Sequence, residues 1–414
     1  MTPENRRREL LASGPDGYVY PDYGGYSFHR VVPTLLDLLG GDVATDRTLP
    51  NDVLRPIERD VNRVLLLFVD GFGDAVWRRH VDDPLVSAFE TAGHLTPLTS
   101  IYPSETAAAV TSHHTGLTAG EHGAIGWDQW VPDADSVVQT LPFTAGDRPA
   151  DEAGAKPADL FVGDPLYPSA GIDAALVQPS ESVDSTYTRR ATAGMGRRGY
   201  EEIDEFARVA RDAVAGADGP TLIDAYLPHV DAAAHSAGTE SDAFALAVAS
   251  VSRGVRDLLD GLDRTSAERT LVVLTADHGL LDTEPATNVD LRTVDGVWDH
   301  LRRRNGDRIP PVGSGRNVHL FLEPGSVPAV REAIENRVAA LTFTREEALD
   351  AGLFGPAAGE RIRERCGDLV IVPRSKTVWH DPEKLEYVGM HGGLAPEEML
   401  VPFAVARASA LVSA

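Results

Sequence analysis

The run from Arg63 to Asp70, RVLLLFVD, is eight residues long and apolar except at its ends. A strand with one wet face would alternate apolar and polar residues, so this run reads as a strand buried on both faces of a parallel sheet. Further strand-like runs, LTPLTSIY, TLIDAYL and RTLVVLTAD, alternate with helical patterns such as EEIDEFARVARDAVAGA and SDAFALAVASVSRGVRDLLDGLD. That alternation argues for βαβ units. The expected fold class is therefore α/β, a mostly parallel central sheet with helices on both faces. Ligands of such sheets gather outside the carboxyl ends of the strands.

The pattern divides the chain into four parts. Residues 1–60 form an N-terminal extension, aromatic and glycine-rich in GYVYPDYGGYSFHR, that is expected to pack on the core. Residues 61–282 form the catalytic core. Within it, 127–195 turn rich in Pro, Gly, Asp and Ser and read as a surface excursion. Residues 283–380 contain enough strand and helix patterns for a small inserted α/β cap, and 381–414 return to the core through MLVPFAVAR.

Bulk composition narrows the partners. The formal charge is −25, and Lys156, Lys376 and Lys384 are the only lysines among the cationic groups. A chain this acidic lacks the basic patch that long nucleic acid requires. Acidic excess with little lysine suggests solubility in concentrated salt, where self-repulsion is screened. No segment approaches the roughly 20 apolar residues that span a bilayer, and MTPENRRRELLASG lacks the apolar stretch of a secretory signal. One cysteine, Cys366, excludes an internal disulfide. Together these features place the expected protein in the cytoplasm, acting on a small substrate and not on a membrane.

Six acidic and imidazole side chains share one kind of location, the turn after or near an apolar run. They are Asp70 in VLLLFVDGFGD, Asp231 and His235 in DAYLPHVDAAAHSAG, Asp277 and His278 in LVVLTADHG, and His391 in VGMHGGL. A lone strand-end aspartate is commonly a turn former and a lone histidine commonly packed. Six in this shared context point to a site for two divalent cations. Mixed imidazole and carboxylate donors suit Zn²⁺ best, with Mn²⁺ or Fe²⁺ where oxygen dominates. Thr106 in SIYPSETAAAVTSHHTG lies at a strand-to-helix junction, with Pro103-Ser104 resembling a cap. A threonine hydroxyl is a poor nucleophile until a nearby cation helps remove its proton. Cations beside a positioned hydroxyl suggest transfer chemistry at phosphorus.

In these residues the chain resembles the alkaline phosphatase superfamily, and within it the nucleotide pyrophosphatase/phosphodiesterase-like branch. The order FVDGFGD, YPSETAAAVTSHHTGLTAGEHGAIG, YLPHVDAAAHSAG, TADHG and MHGG carries the resemblance. It implies an alkaline phosphatase-like fold, with Asp70, Thr106, Asp277 and His278 around one metal and Asp231, His235 and His391 around the other. It further implies a hydrolase of phosphodiester or nucleotide pyrophosphate bonds that works through a covalent phosphothreonine on Thr106.

Two positions depart from that pattern. Relatives place an asparagine three residues after the nucleophile, here Ala109, and often a lysine before it, here Glu105. Arg316 and Asn317 in GSGRNVHLF are therefore candidates for holding phosphate oxygens, although a turn and salt bridge is the simpler reading. His319 has a similar, weaker claim. His113, His114 and His122 read as packing residues, and Cys366 lacks the surroundings of a formylglycine sulfatase. One rival function is a phosphomonoesterase or phosphosugar mutase, which would need further cations for a dianionic phosphate. A second is a non-catalytic metal-binding or sensing protein on the same scaffold.

Overall fold

The computed structural model describes residues 1–55 and 61–412. At its centre is a seven-stranded sheet: β1 (Arg63–Val69), β2 (His94–Thr99), β3 (Asp173–Pro179), β4 (Gly196–Tyr200), β5 (Thr221–Leu227), β6 (Thr270–Thr275) and β7 (Leu400–Arg407). The strand order is β2-β7-β6-β1-β5-β3-β4. The apolar run Arg63–Val69 is thus the middle strand, parallel to β6 on one side and β5 on the other. Val64 to Leu67 are wholly buried, as a strand covered on both faces requires. β7 enters antiparallel between β2 and β6, so the chain's last strand is interior to the sheet. The fold is of the expected class, a mostly parallel sheet layered with helices.

Residues 127–195, expected as a surface excursion, instead contribute to two sheets. Asp173–Pro179 is β3 of the central sheet. Residues 128–149 supply four short strands to a second, eight-stranded sheet, whose other strands are Val312–Ser314, Asn317–Leu320, Ala340–Thr344 and Leu369–Pro373. Strands this short, two to four residues between turns, leave too few positions for a period of two to register. The 283–380 segment forms a cluster of its own around Val318, Leu320, Ile371 and Trp379.

Of the N-terminal extension, residues 56–60 lie outside the described residues. The remainder sends Tyr18, Tyr26 and Phe28 into the main core. Arg7 clamps Asp74 through two bonds of 2.6 and 2.7 Å, both groups being buried. Among the described residues no helix is long and apolar enough to cross a membrane.

Candidate active site

Two helices complete the site, α1 (Thr106–Thr115) and α2 (His229–Ala237). Asp70, Asp277 and His278 lie just past the carboxyl ends of β1 and β6, Asp231 and His235 lie on α2 after β5, and His391 lies in the loop before β7. Asp70 follows β1, and its N–H donates to Leu227 at the end of β5. Gly71 is left-handed at φ 72°, and a Cβ there would meet Asp231 at 3.1 Å. A glycine is therefore what lets the β1 turn approach α2. On α2, Asp231 and His235 sit one turn apart and face the same side.

The donors converge in two overlapping groups. Nε2 of His278 is 3.4 Å from Oδ1 of Asp70, 3.3 Å from Oδ2 of Asp277 and 3.1 Å from the Thr106 hydroxyl. Nε2 of His235 is 3.2 Å from Oδ2 of Asp231, and Nε2 of His391 is 3.6 Å from Oδ1 of Asp231. Asp231 links the groups, and the rings of His278 and His391 stack at 3.6 Å.

All three imidazoles are oriented the same way. Nδ1 of His235 lies 2.7 Å from the Gly389 carbonyl, Nδ1 of His278 lies 3.1 Å from that of Gly279, and Nδ1 of His391 lies 3.3 Å from that of Ser104. A carbonyl only accepts, so Nδ1 bears the proton and Nε2, the nitrogen left free for a cation or a second proton, is turned toward carboxylates. Lone pairs aimed at anionic oxygens repel unless a cation lies between them. Three buried carboxylate oxygens there, Asp70 Oδ1, Asp231 Oδ1 and Asp277 Oδ2, have no hydrogen-bond partner. Carbonyl-anchored histidines and ligand-free carboxylate oxygens are the arrangement of metal ligands, and the residues present fit two divalent cations.

Protonation follows the same crowding. Burial, then the charges of Asp277 and Asp231, raises the Asp70 carboxyl well above its ordinary range. Burial and the Asp231 charge push Asp277 up to about 7. Burial would raise Asp231 too, but His235 and His391 hold it below its ordinary value. His278 is held low by burial and by neighbouring His391. The hydroxyl of Tyr226, two residues along β5 from Asp224, fixes Asp70 by donating to Oδ2 at 2.5 Å. Sequence reasoning did not single Tyr226 out; its signal is the period of two that puts it on the strand face of Asp224.

Thr106 is the first residue of α1 and 8% exposed. The N-cap is Glu105, without a side-chain cap bond, and not Ser104, whose hydroxyl instead donates to Gly393 at 2.7 Å. Glu105 is buried, accepts from the Trp127 N–H through Oε1 and leaves Oε2 without a partner. Burial raises its carboxyl well above the ordinary range. Ala109 is buried in the same helix.

Arg316 and Asn317, the candidates for holding phosphate oxygens, are wholly buried and spent on bonds within the protein. The guanidinium of Arg316 is wholly buried, clamps Glu398 at 2.7 and 2.9 Å, and donates to the carbonyls of Arg374 and Lys376. Glu398 in turn accepts the N–H groups of Gly393 and Ala395. The simpler salt-bridge reading is correct: the pair buttresses the loop that bears His391. Asn317 is also wholly buried, donating to the Ile125 carbonyl and meeting Tyr102 and His319 at 2.7 and 2.9 Å. His122 bonds Ser112 and the Ala124 N–H, a structural role.

Structures similar to this chain include murine ectonucleotide pyrophosphatase/phosphodiesterase 5 in an inactive form bound to AMP, at a TM-score of 0.63 and 15% identity over 82% of this chain and 87% of that one. They also include phosphonoacetate hydrolase from Sinorhizobium meliloti in complex with phosphonoformate, at 0.60 and 18% over 84% and 90%. No curated protein sequence matches the chain. The fold is that of the alkaline phosphatase superfamily. Within it, the sequence profile of type I phosphodiesterases/nucleotide pyrophosphatases matches residues 64–394, and the chain belongs to that family.

Proposed function

We propose that this chain is a two-metal-dependent hydrolase of phosphodiester or nucleotide pyrophosphate bonds that works through a phosphothreonine on Thr106. The observation that supports it best is the set of three imidazoles anchored through Nδ1, of which His278 and His391 turn Nε2 toward partnerless carboxylate oxygens, His278 beside the Thr106 hydroxyl.

Asp70, Thr106, Asp277 and His278 would hold one cation, and Asp231, His235 and His391 the other, most simply Zn²⁺. When bound, the cations supply the positive charge that lowers the hydroxyl's pKa and neutralises phosphoryl oxygens. The protein residues do the remaining work. Thr106 Oγ1 attacks phosphorus and the bond to the leaving alcohol or phosphate breaks. Water then cleaves the threonine–phosphorus bond, releasing the phosphoryl product and restoring the hydroxyl. First-turn N–H groups of α1 face this point, and they serve the phosphoryl oxygen that relatives give to the asparagine replaced here by Ala109. Tyr226 fixes Asp70, and the Arg316–Glu398 pair fixes the His391 loop. The segment 283–380 caps the site. The low lysine content and acidic charge favour a cytoplasm rich in salt.

The reading is tested with bis-p-nitrophenyl phosphate and p-nitrophenyl phosphate at high salt, with and without chelator, for the parent and Thr106→Ala. The expected result is chelator-sensitive turnover that prefers the diester and disappears in the variant. Preference for the monoester, or turnover that survives Thr106→Ala, would overturn it.

A further inference from the structure

A cavity of about 580 Å³ opens beside Thr106 and runs between α1 and the carboxyl ends of β3 and β5. Its volume is within the range of pockets that hold a small organic molecule. Rings of Phe68, Trp127, Tyr187 and Tyr226 line it. Its charged groups have one sign. Glu181 stands in the lining, and so does Asp224, which keeps Oδ1 without a protein partner. Among the described residues the lining contains neither lysine nor arginine. Its one imidazole, His114, is held neutral: burial pushes it down to about 3.

We propose that this cavity receives the ester substituent of the substrate as an uncharged or cationic, aromatic-sized group, and that Asp224 and Glu181 turn away substituents with further negative charge. The inference rests on Thr106 being the reacting residue, and it deepens that reading by naming the substrate class. Carboxylates beside aromatic faces attract a cation through both charge and the ring quadrupole. A carboxylate or second phosphate in the same space would meet two carboxylates and no lysine or arginine among the described lining residues. The class is therefore diesters of aryl, nucleoside or aminoalkyl alcohols, and not anhydrides with free terminal phosphates or phosphonates bearing a carboxylate.

The test begins with binding, so that it stands apart from catalysis. Benzyltrimethylammonium and benzenesulfonate are titrated into the folded protein in the presence of divalent cation and followed by calorimetry. The ammonium should bind at least about tenfold tighter, a gap of roughly 1.4 kcal/mol. In Glu181→Lys, an exposed position, that preference should fall at least about fivefold. Equal affinities, or tighter sulfonate binding, in the parent would overturn the inference. A second series compares p-nitrophenyl phosphodiesters whose other alcohol is benzyl, 2-aminoethyl or carboxymethyl. The first two should exceed the third in kcat/KM by about tenfold or more, and a ratio near one would overturn the inference while leaving the hydrolase reading intact. Absence of all turnover would sink the hydrolase reading, and calorimetry would still decide whether the cavity prefers cations.

Discussion

Among the described residues, two clusters of histidine and aspartate meet at α1, one near each end of the helix, and they use their nitrogens differently. Toward the C-terminal end of α1, His113 bonds Asp224 at 2.6 Å and His114 bonds the Tyr167 hydroxyl at 2.6 Å. At the carboxyl edge of the sheet, the closest imidazole–carboxylate approaches are 3.2 to 3.4 Å. Every Nδ1 there is committed to a carbonyl, whereas His113 keeps Nδ1 without a partner. The first cluster turns Nε2 of His113 onto its carboxylate at full hydrogen-bond contact and packs that ring between the aromatic faces of Phe28 and Phe68. The second withholds its capacity for something absent from the polypeptide. Residue type and mutual proximity are the same in both; what separates a packing cluster from a binding cluster is which nitrogen is already used.

The sharpest way to break this contrast is at the edge cluster. Thr106→Ala or Asp277→Asn should lower kcat/KM for a phosphodiester at least about 10³-fold, on the scale of removing a member of a catalytic unit. Calorimetry with a divalent cation should find two ions per parent chain. His235→Ala should bind one fewer, because it belongs to only one of the donor groups. If His113→Leu also lost an ion or matched the kinetic loss, the two clusters would not differ in kind.

Next in size is the buttress behind His391. Arg316→Met leaves Glu398 buried without its cation, and breaking a buried pair in this way costs about 3–5 kcal/mol. Chemical denaturation should show that loss, and the released His391 loop should also weaken divalent binding. Retention of full stability would mean that the backbone N–H groups of Gly393 and Ala395 suffice to hold Glu398.

These residues also mark how far the sequence could be read. Asp70, Asp277 and His278 were legible because each follows a central strand whose apolar run ends abruptly, and such ends meet at one edge of a parallel sheet; Asp231, His235 and His391 were legible from the motifs that carry the resemblance. Arg316 was not legible, since nothing local distinguishes an arginine that grips phosphate from one that grips Glu398, 82 residues later. Tyr226 and Glu398 act through distant partners and leave no spacing to detect. The strands in 128–149 were hidden by their shortness, and β4, with sequence GRRGY, has no apolar alternation at all. What failed was the reading of partners far apart in the chain.

At the buried cluster itself the expected effect is smaller and falls on stability. His113→Leu removes the partner of Asp224 and should cost about 1–3 kcal/mol by chemical denaturation, with the ion stoichiometry unchanged. A neutral result would show that Asp224 finds another partner when His113 is lost.

The smallest effect uses pH. Burial holds His114 at about 3, against an ordinary value near 6.5. Between those values the unfolded chain takes up a proton that the folded chain refuses, so stability is fully present above about pH 6.5 and is lost as pH falls. From His114 alone, the loss between pH 7.5 and 5.5 is about 1.4 kcal/mol. His29 and His122, each also pushed down to about 3 by burial, add to the same slope. His114→Gln keeps a polar group near Tyr167 but cannot take up a proton, so its denaturation free energy should fall less steeply over that range than the parent's, by about that amount. An unchanged slope would mean that His114 is protonated in the folded protein. The floor of the aromatic cavity would then carry a positive charge, and the cavity's preference for uncharged or cationic substituents would lose one of its supports.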